Sequence, residues 1–511
     1  MIPRAVCGRL RAMKNSGQWS VVSGQPSRVT RQSSIVVLAI CALAFAVRLG
    51  PLYDNRFHPD EALYSTWSLQ IARGENLLLT GVPIDKPPLL IYLNALSFYI
   101  FGQSELAARV PNLLASVLSV VLVSQLGKSE LVDNQLKAEQ FTDLLPPLLL
   151  ALSPFAISFA PTAFLDPTMI MFGLAALVAA RRGRTGWAGL LLGLSFATKM
   201  QGLFFAPLVL VFSRQVDTDT SRRGRQLLKL VLGFGVTALL VLIWDRARGG
   251  LPFWQQQTIN YGDIRLAYAD ELGPRLIGWM AFLSYFFGPI VGALGLIGLP
   301  QLWRASIEDR RLLLWLLSVC VLHWLFNFPI WDRYFLLLVP IGALLIGRAF
   351  GHLVIRLLSQ HPVESSLQPL TPLLVLVIVA IAMLPFSTAA AESQYPIGGD
   401  HGANDGIDQV AVFLKSLPSG TVLYDHWLAW ELGYYVGEGF VFVAYFDTPL
   451  ALQDDLRVFG GANRYVIFPG AESPDRVDAA IGEVGYTLSP VFKTQNRFGQ
   501  TSFVVFKIEP R

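Results

Sequence analysis

Two short stretches near the start of the chain combine acidic side chains with a cation. Asp60 and Glu61 follow a His-Pro pair, and Asp85 and Lys86 precede two prolines. A carboxylate such as Asp60 can act as a general base that removes a proton from an attacking hydroxyl group. A lysine ammonium suits a phosphate leaving group, whose negative charge grows as the bond to it breaks. Together these residues could transfer a group from a phosphate to an alcohol.

More residues of the same kinds stand at the ends of later apolar runs. They are Asp166, Lys199, Arg333 and Tyr334. A single charge at a helix end can be a simple interfacial anchor, so one such residue carries little weight. The convergence of carboxylates and cations is the stronger signal. We expect Lys86, Lys199 and Arg333 to meet a phosphate, with Asp85 and Tyr334 beside them.

These residues belong to a chain that is mostly embedded in a membrane. Of its 511 residues, 53% are hydrophobic and 15% are charged, with a mean hydropathy of +0.48. The surface of a soluble domain of this size would not tolerate that composition. The sequence contains no nucleotide-binding signature, and we expect no nucleic-acid partner. Its three cysteines offer neither a disulfide framework nor a zinc site.

The apolar runs predict eleven transmembrane helices, within a range of 11–13. The runs are 34–52, 108–127, 143–160, 166–180, 186–198, 200–213, 227–244, 276–299, 312–328, 332–348 and 371–389. Basic residues concentrate in alternate loops, which places the N-terminus in the cytoplasm. The runs 186–198 and 200–213 are kept apart as a hairpin with Lys199 at its outer tip. Residues 53–106 are predicted to form a long outer loop along the membrane surface.

Three regions follow from this topology. Residues 1–33 form a basic cytoplasmic tail, 34–389 form the transmembrane domain, and 390–511 form a small outer α/β domain. The strand candidates in the outer domain are Thr421–Tyr424, Phe440–Ala444, Arg464–Phe468 and Thr501–Ile508. We expect this domain to serve packing or acceptor docking, and the whole chain to reside in a bacterial inner membrane.

The order of these features resembles the GT-C membrane glycosyltransferases. The similar features are the Asp-Glu pair at 60–61, Asp-Lys-Pro-Pro-Leu at 85–89, the lone Asp166 at the end of an apolar hairpin, and Arg-Tyr at 333–334. Within that class the chain resembles glycosyltransferase family 39, which comprises the dolichyl-phosphate-mannose protein mannosyltransferases and the related bacterial aminoarabinose transferases of lipid A. The resemblance covers roughly residues 35–390.

The resemblance implies an inverting transfer of a sugar from a polyprenyl-phosphate donor to an acceptor hydroxyl at the outer face of the membrane. It implies that Asp60 is the catalytic base, followed by Glu61, and that Asp166 orients the acceptor or the base. Lys86 would meet the donor phosphate. Asp85 stands where the aminoarabinose transferases have a glutamate, which argues against a direct assignment to those enzymes. A lipid, a protein or a polymer could be the acceptor.

Two other functions remain open from the sequence. An oligosaccharyltransferase-like or polymer-modifying enzyme of the same fold would use a lipid-pyrophosphate donor and a divalent metal. Asp60, Glu61 and Asp85 could supply oxygen ligands and His58 a nitrogen, but no fixed metal-ligand spacing is present. We therefore predict that activity survives chelation and that His58 is a loop residue. A polytopic transporter is the third possibility, although the chain shows no internal repeat.

Overall fold

The computed structural model describes residues 28–128, 143–215, 220–360, 371–437, 439, 441–460 and 463–511. Most of the predicted tail, residues 1–27, therefore lies outside the described residues. From Arg28 to Ala391 the described chain is built of helices, and a five-stranded sheet with its own helices follows.

The helices before the sheet are mostly apolar and are numbered here in chain order. They are α1 Arg28–Ala46, α2 Leu49–Asp54, α3 Pro59–Ala72, α4 Leu89–Phe101, α5 Glu105–Gly127, α6 Leu145–Leu152, α7 Pro154–Phe159, α8 Asp166–Arg181, α9 Thr185–Thr198, α10 Ala206–Gln215, α11 Thr220–Ala247, α12 Phe253–Tyr261, α13 Ala269–Phe287, α14 Pro289–Ala305, α15 Ile307–Leu325, α16 Leu338–Gln360 and α17 Thr371–Ala391. Two 3-10 turns, Met200–Phe205 and Asp332–Phe335, interrupt them.

Within the described ranges, four helical stretches are long and apolar enough to cross a membrane. They are Ser34–Asp54, Glu105–Gly127, Arg223–Ala247 and Leu373–Ala391. A fifth results if α13 and α14, which are bent by 104° at their junction, count as one span. Four shorter apolar stretches accompany them: Leu89–Phe101, Thr185–Thr198, Met200–Arg214 and Leu338–Leu353. The count of eleven spans thus stays a prediction.

Among the apolar runs that we predicted as continuous helices, 143–160 and 276–299 are each divided into two helices, and this corrects the prediction. The run 143–160 divides at Ser153, whose hydroxyl accepts the N–H of Ala156 and which precedes a proline. The run 276–299 divides at Gly288, where φ is +72° and a proline again follows. A proline suits the first position of a helix, and a positive φ ends the preceding one. Hydropathy does not register either break.

The break predicted at Lys199 is present. Helix α9 ends at Thr198, Lys199 adopts an extended conformation, and a 3-10 turn begins at Met200. A β-region residue between two helical segments reorients the chain. Lys199 is therefore presented at a junction and not along a helix face.

The predicted outer loop 53–106 contains two helices, α3 and α4, which pack on each other. The apolar residues Tyr64, Trp67 and Ile71 of α3 are buried. They share a hydrophobic cluster with Leu90 and Ile91 of α4. This packing fixes the N-terminal end of α3, where Asp60 and Glu61 lie.

The C-terminal sheet has the strand order β2-β1-β3-β5-β4. Its strands are β1 Val422–Asp425, β2 Phe442–Tyr445, β3 Arg464–Pro469, β4 Tyr486–Gln495 and β5 Thr501–Pro510. The first three are parallel, and β5 runs antiparallel to β3 and β4. Four of these strands match predicted ones, although Phe440 lies outside the described residues. We missed β4, an edge strand whose pairing shifts register beside Pro490.

Helices cover both faces of this sheet. The helices are α18 Ile407–Lys415, α19 Ala429–Tyr435, α20 Pro449–Phe459 and α21 Asp475–Gly482. Residues of α18 and α19 share one apolar cluster with the sheet, and residues of α20 and α21 share another. The α/β character of this region agrees with the sequence pattern.

Candidate active site

A small cleft collects side chains from five separate parts of the chain. Its lining residues are Tyr64, Lys86, Phe164, Leu165, Asp166, Lys199, Trp331, Arg333 and Tyr334. Five of these are residues that the sequence singled out. Asp60 joins the group through its ion pair with Arg333.

The first charged pair at the cleft is Asp60 with Arg333. Asp60 is the second residue of α3, directly after Pro59 at the helix start. One oxygen of its carboxylate lies 2.7 Å from a guanidinium nitrogen of Arg333. That guanidinium lies 4.3 Å from the ring centre of Trp331 and 5.0 Å from that of Phe164. The aromatic rings hold the flat cation in place, and the cation holds the carboxylate.

A second pair, Asp166 with Lys199, also lines the cleft. The Lys199 ammonium donates to both carboxylate oxygens of Asp166, at 2.7 and 2.9 Å. It also lies 4.7 Å from the centre of the Tyr334 ring. Asp166 opens α8, and Lys199 closes α9, so the two helix ends are joined by this contact.

The third pair consists of sequence neighbours. The ammonium of Lys86 donates to Asp85 at 2.6 Å and to the Tyr261 hydroxyl at 3.2 Å. The amide of Asn260 donates to the same Asp85 oxygen at 3.2 Å. Burial lowers the pKa of Lys86, and the Asp85 carboxylate opposes that shift. Sequence reasoning missed Asn260 and Tyr261, whose only signal was the polar composition of residues 255–260.

Glu61 lies behind the cleft and not in it. It is fully buried, paired with the Arg109 guanidinium at 3.2 Å, and accepts the N–H groups of Ala163 at 2.7 Å and His58 at 3.1 Å. Arg109 also donates to the carbonyls of Asn55 and Arg56 at 2.8 Å each. Both oxygens of Glu61 are therefore engaged within the protein. This geometry favours a positioning role for Glu61.

His58 caps the helix that carries Asp60. Its Nδ1 accepts the N–H of Asp60 at 3.2 Å, and its ring packs edge-on against Phe164. Burial lowers the pKa of His58, so the neutral, accepting form is favoured. In the part of the chain that the structure describes, no three His, Cys, Asp or Glu side chains are grouped to hold a metal ion.

Comparisons with known proteins show which proteins this chain resembles. Residues 85–244 match the family model described as dolichyl-phosphate-mannose-protein mannosyltransferase. Two Bacillus subtilis (strain 168) proteins named as candidate mannosyltransferases, YkcB and YycA, are each 27% identical over 209 and 207 residues. Each alignment covers 39% of this chain but only 28% and 29% of those relatives.

Two solved structures of ArnT from Cupriavidus metallidurans resemble most of this chain. The apo structure has a TM-score of 0.64 at 18% identity, covering 93% of this chain and 98% of that one. The structure bound to undecaprenyl phosphate has a TM-score of 0.61 at 16% identity, covering 92% and 97%.

This likeness defines the class of the protein at the level of fold. The chain is an integral membrane protein with the GT-C fold, as the sequence resemblance predicted. The family match over residues 85–244 further supports a GT-C glycosyltransferase, and it includes Lys86, Asp166 and Lys199 of the cleft.

Proposed function

We propose that the protein is an inverting glycosyltransferase that moves a sugar from a polyprenyl-phosphate donor to an acceptor hydroxyl at the outer face of the membrane. The observation that carries this proposal is the cleft itself. Arg333, whose guanidinium pairs with the Asp60 carboxylate, lines it together with two further cations, Lys86 and Lys199. A base for the acceptor and positive charge for the departing phosphate thus stand in one place.

The donor class is supported by the cations and by a structural relative. Lys86, Lys199 and Arg333 are each paired with a carboxylate, yet all three line the cleft. Such ammonium and guanidinium groups suit a phosphate monoester. ArnT, which shares the fold, has been solved with undecaprenyl phosphate bound. A membrane-embedded cleft can receive a polyprenyl-phosphate sugar from the bilayer. Polyprenyl phosphate is then the leaving group of the transfer.

The proposed reaction is a single displacement at the sugar carbon. The acceptor hydroxyl gives its proton to Asp60 as its oxygen bonds to that carbon. The bond from the carbon to the phosphate oxygen breaks, and its electron pair leaves with the phosphate. Lys86 and Arg333 stabilise the growing negative charge. Attack from the face opposite the phosphate inverts the configuration, so no covalent enzyme intermediate is required.

The remaining site residues support these roles. Asp166 holds Lys199 and orients the acceptor or the base, while Asp85 holds Lys86. Tyr334 lines the cleft, and its ring centre lies 4.7 Å from the Lys199 ammonium. Glu61 positions the loop before Asp60 through Arg109. The acceptor is a lipid, a protein or a polymer of the cell envelope.

The predicted orientation completes the proposal. A cytoplasmic N-terminus and about eleven spans in the bacterial inner membrane would put the cleft and residues 390–511 on the outer side. The positions of basic residues in alternate loops support this orientation.

The test is sugar transfer by the purified full-length protein in proteoliposomes supplied with polyprenyl-phosphate sugars. Lys86→Ala removes an ammonium from the cleft, and we expect kcat/KM for the donor to fall about 10²-fold or more. Lys493→Ala is the matched control, because Lys493 is exposed on β4. Equal donor kinetics for wild type and Lys86→Ala would remove Lys86 from the phosphate site.

The same assay separates the two donor classes. We expect transfer from a polyprenyl monophosphate to continue in EDTA. Complete loss in EDTA, restored by a divalent ion, together with activity on a lipid pyrophosphate, would instead support the oligosaccharyltransferase-like reaction.

A further inference from the structure

The segment 397–405, called the strap below, is irregular in structure and yet largely buried. It joins α17 to α18. Ile397 is 1% exposed and Asp400 is 5% exposed. Irregular segments usually lie on the surface, because their backbone polar groups need water or another partner. The strap forms hydrogen bonds with residues that lie close in sequence to Asp60 and to Arg333.

The first end of the strap holds the residue before Arg333. The N–H of Gly398 donates to one carboxylate oxygen of Asp332 at 2.9 Å. The other oxygen of Asp332 accepts the N–H of Arg333 at 2.7 Å. Asp332 thus links the strap to the 3-10 turn that presents the Arg333 guanidinium. Because both of its oxygens are engaged, the orientation of this carboxylate is fixed.

Only glycine fits the position that makes this contact. Gly398 has φ +95°, a conformation that L side chains rarely adopt. A methyl group on it would lie 2.6 Å from the carbonyl oxygen of Ser158. A side chain at this position would therefore push the strap away from Asp332.

The second end of the strap holds the chain just before Asp60. The Asn404 amide donates to the carbonyl of Phe57 at 2.7 Å. Asp405 is paired with Arg497 at 2.8 Å, and Arg497 also donates to the carbonyl of Asp54 at 2.7 Å. These contacts fix residues 54–57, the segment that leads into α3 and its catalytic end.

We propose that the strap positions the Asp60 and Arg333 pair, with Asp332 and Asn404 as its positioning residues. The strap contacts Asp332, one residue before Arg333, and Phe57, three residues before Asp60. The side chains of Arg333 and Asp60 lie 2.7 Å apart. Neither positioning residue lines the cleft. The inference rests on the proposed function, and it gives the C-terminal part of the chain a role in turnover.

The kinetic test compares Asp332→Asn, Gly398→Ala and the double variant in the proteoliposome assay. Asparagine at 332 leaves one carbonyl oxygen for two N–H donors. We expect kcat to fall about tenfold or more in each single variant, with the donor KM changed by less than about threefold. Because both changes break one link, the double variant should lose no more than the worse single one. Arg457→Ala, an exposed position on α20, should keep wild-type kinetics.

The proposal would be overturned if the fold-losses in kcat of the two single variants multiplied in the double variant. It would also be overturned if kcat fell only in proportion to the thermal unfolding midpoint across the variants. A second measurement does not depend on transfer. Hydrogen exchange of the Asp332→Asn protein should rise in residues 55–61 and 332–336 and stay unchanged in β3. Unchanged exchange in the first two segments would also overturn it. If wild type transfers no sugar, the proposed function fails, and the exchange experiment still decides whether the strap holds these segments.

Discussion

At the scale of residues, every cation of the cleft is held by a carboxylate. Arg333 pairs with Asp60, Lys199 with Asp166, and Lys86 with Asp85. Such pairs keep a cluster of like charges from repelling itself before the donor arrives, and they aim the ammonium and guanidinium groups in advance. Sequence reasoning selected these residue types from their places at helix ends. It did not predict the pairs, because which helix ends meet depends on packing.

The buried ion pair between Glu61 and Arg109 allows a test of the positioning role of Glu61. In Arg109→Met the Glu61 carboxylate would be buried without its cation. We expect the free energy of unfolding to fall by about 3–5 kcal/mol, because an unpaired buried charge is strongly destabilising. Thermal unfolding of the protein in nanodiscs measures this. The matched double variant Arg109→Met with Glu61→Gln should recover part of the loss. An unchanged unfolding midpoint in Arg109→Met would contradict the positioning role.

At the scale of elements, hydropathy locates the apolar helices better than their breaks. The break at Lys199 was predictable from charge and loop count. The breaks at Ser153 and Gly288 were not, because they depend on local capping and on one positive φ inside apolar runs. The helices α3 and α4 were visible as helical patterns, whereas α12 brings Tyr261 to Lys86 without any such pattern.

The bend between α13 and α14 gives a prediction at this scale. Gly288→Ala would place a methyl group 2.8 Å from the Phe386 ring in a backbone with φ +72°. We expect a loss of stability of about 1–3 kcal/mol. Gly292→Ala is the control, because a methyl group there meets nothing within 4 Å and lies inside α14. It should be neutral or slightly stabilising. Equal unfolding midpoints for the two variants would contradict this account of the bend.

At the scale of the whole molecule, polar contacts join the C-terminal part to residues 53–106, the predicted first outer loop. Tyr435 accepts the N–H of Phe57 at 2.9 Å and donates to Glu105. Asn404 bridges Phe57 and Glu431. The sequence predicted the strands of this region, but its attachment to the loop before Asp60 is visible only in three dimensions.

Acidic groups at this junction predict a pH dependence. Burial raises the pKa of Asp400 and of Glu431 to about 7 each. The folded protein then holds protons that the unfolded chain releases above about pH 4, so this contribution to stability is present at low pH and is lost as pH rises through 7. Glu431→Gln should therefore show a smaller fall in unfolding midpoint between pH 5 and pH 8 than wild type.

Two nearby histidines change the stability with pH in the opposite direction. The quantity to compare is therefore the difference in unfolding midpoint between Glu431→Gln and wild type at each pH. Burial lowers the pKa values of His58 and His401, and their contribution is lost as pH falls below about 6.5. Asp447→Asn, at an exposed position after β2, is the control and should follow the wild-type curve. Parallel curves for wild type and Glu431→Gln would contradict the assignment.

The most direct measurement of the central claim is single-turnover sugar transfer by Asp60→Asn in proteoliposomes, with polyprenyl-phosphate binding measured on the same sample. Asparagine keeps the size of the side chain but cannot accept the hydroxyl proton. The account predicts that transfer slows by about 10²–10⁴-fold. It also predicts that polyprenyl phosphate binds at least as tightly as to wild type, because a negative charge has been removed beside Arg333. Transfer at the wild-type rate would show that Asp60 is not the base.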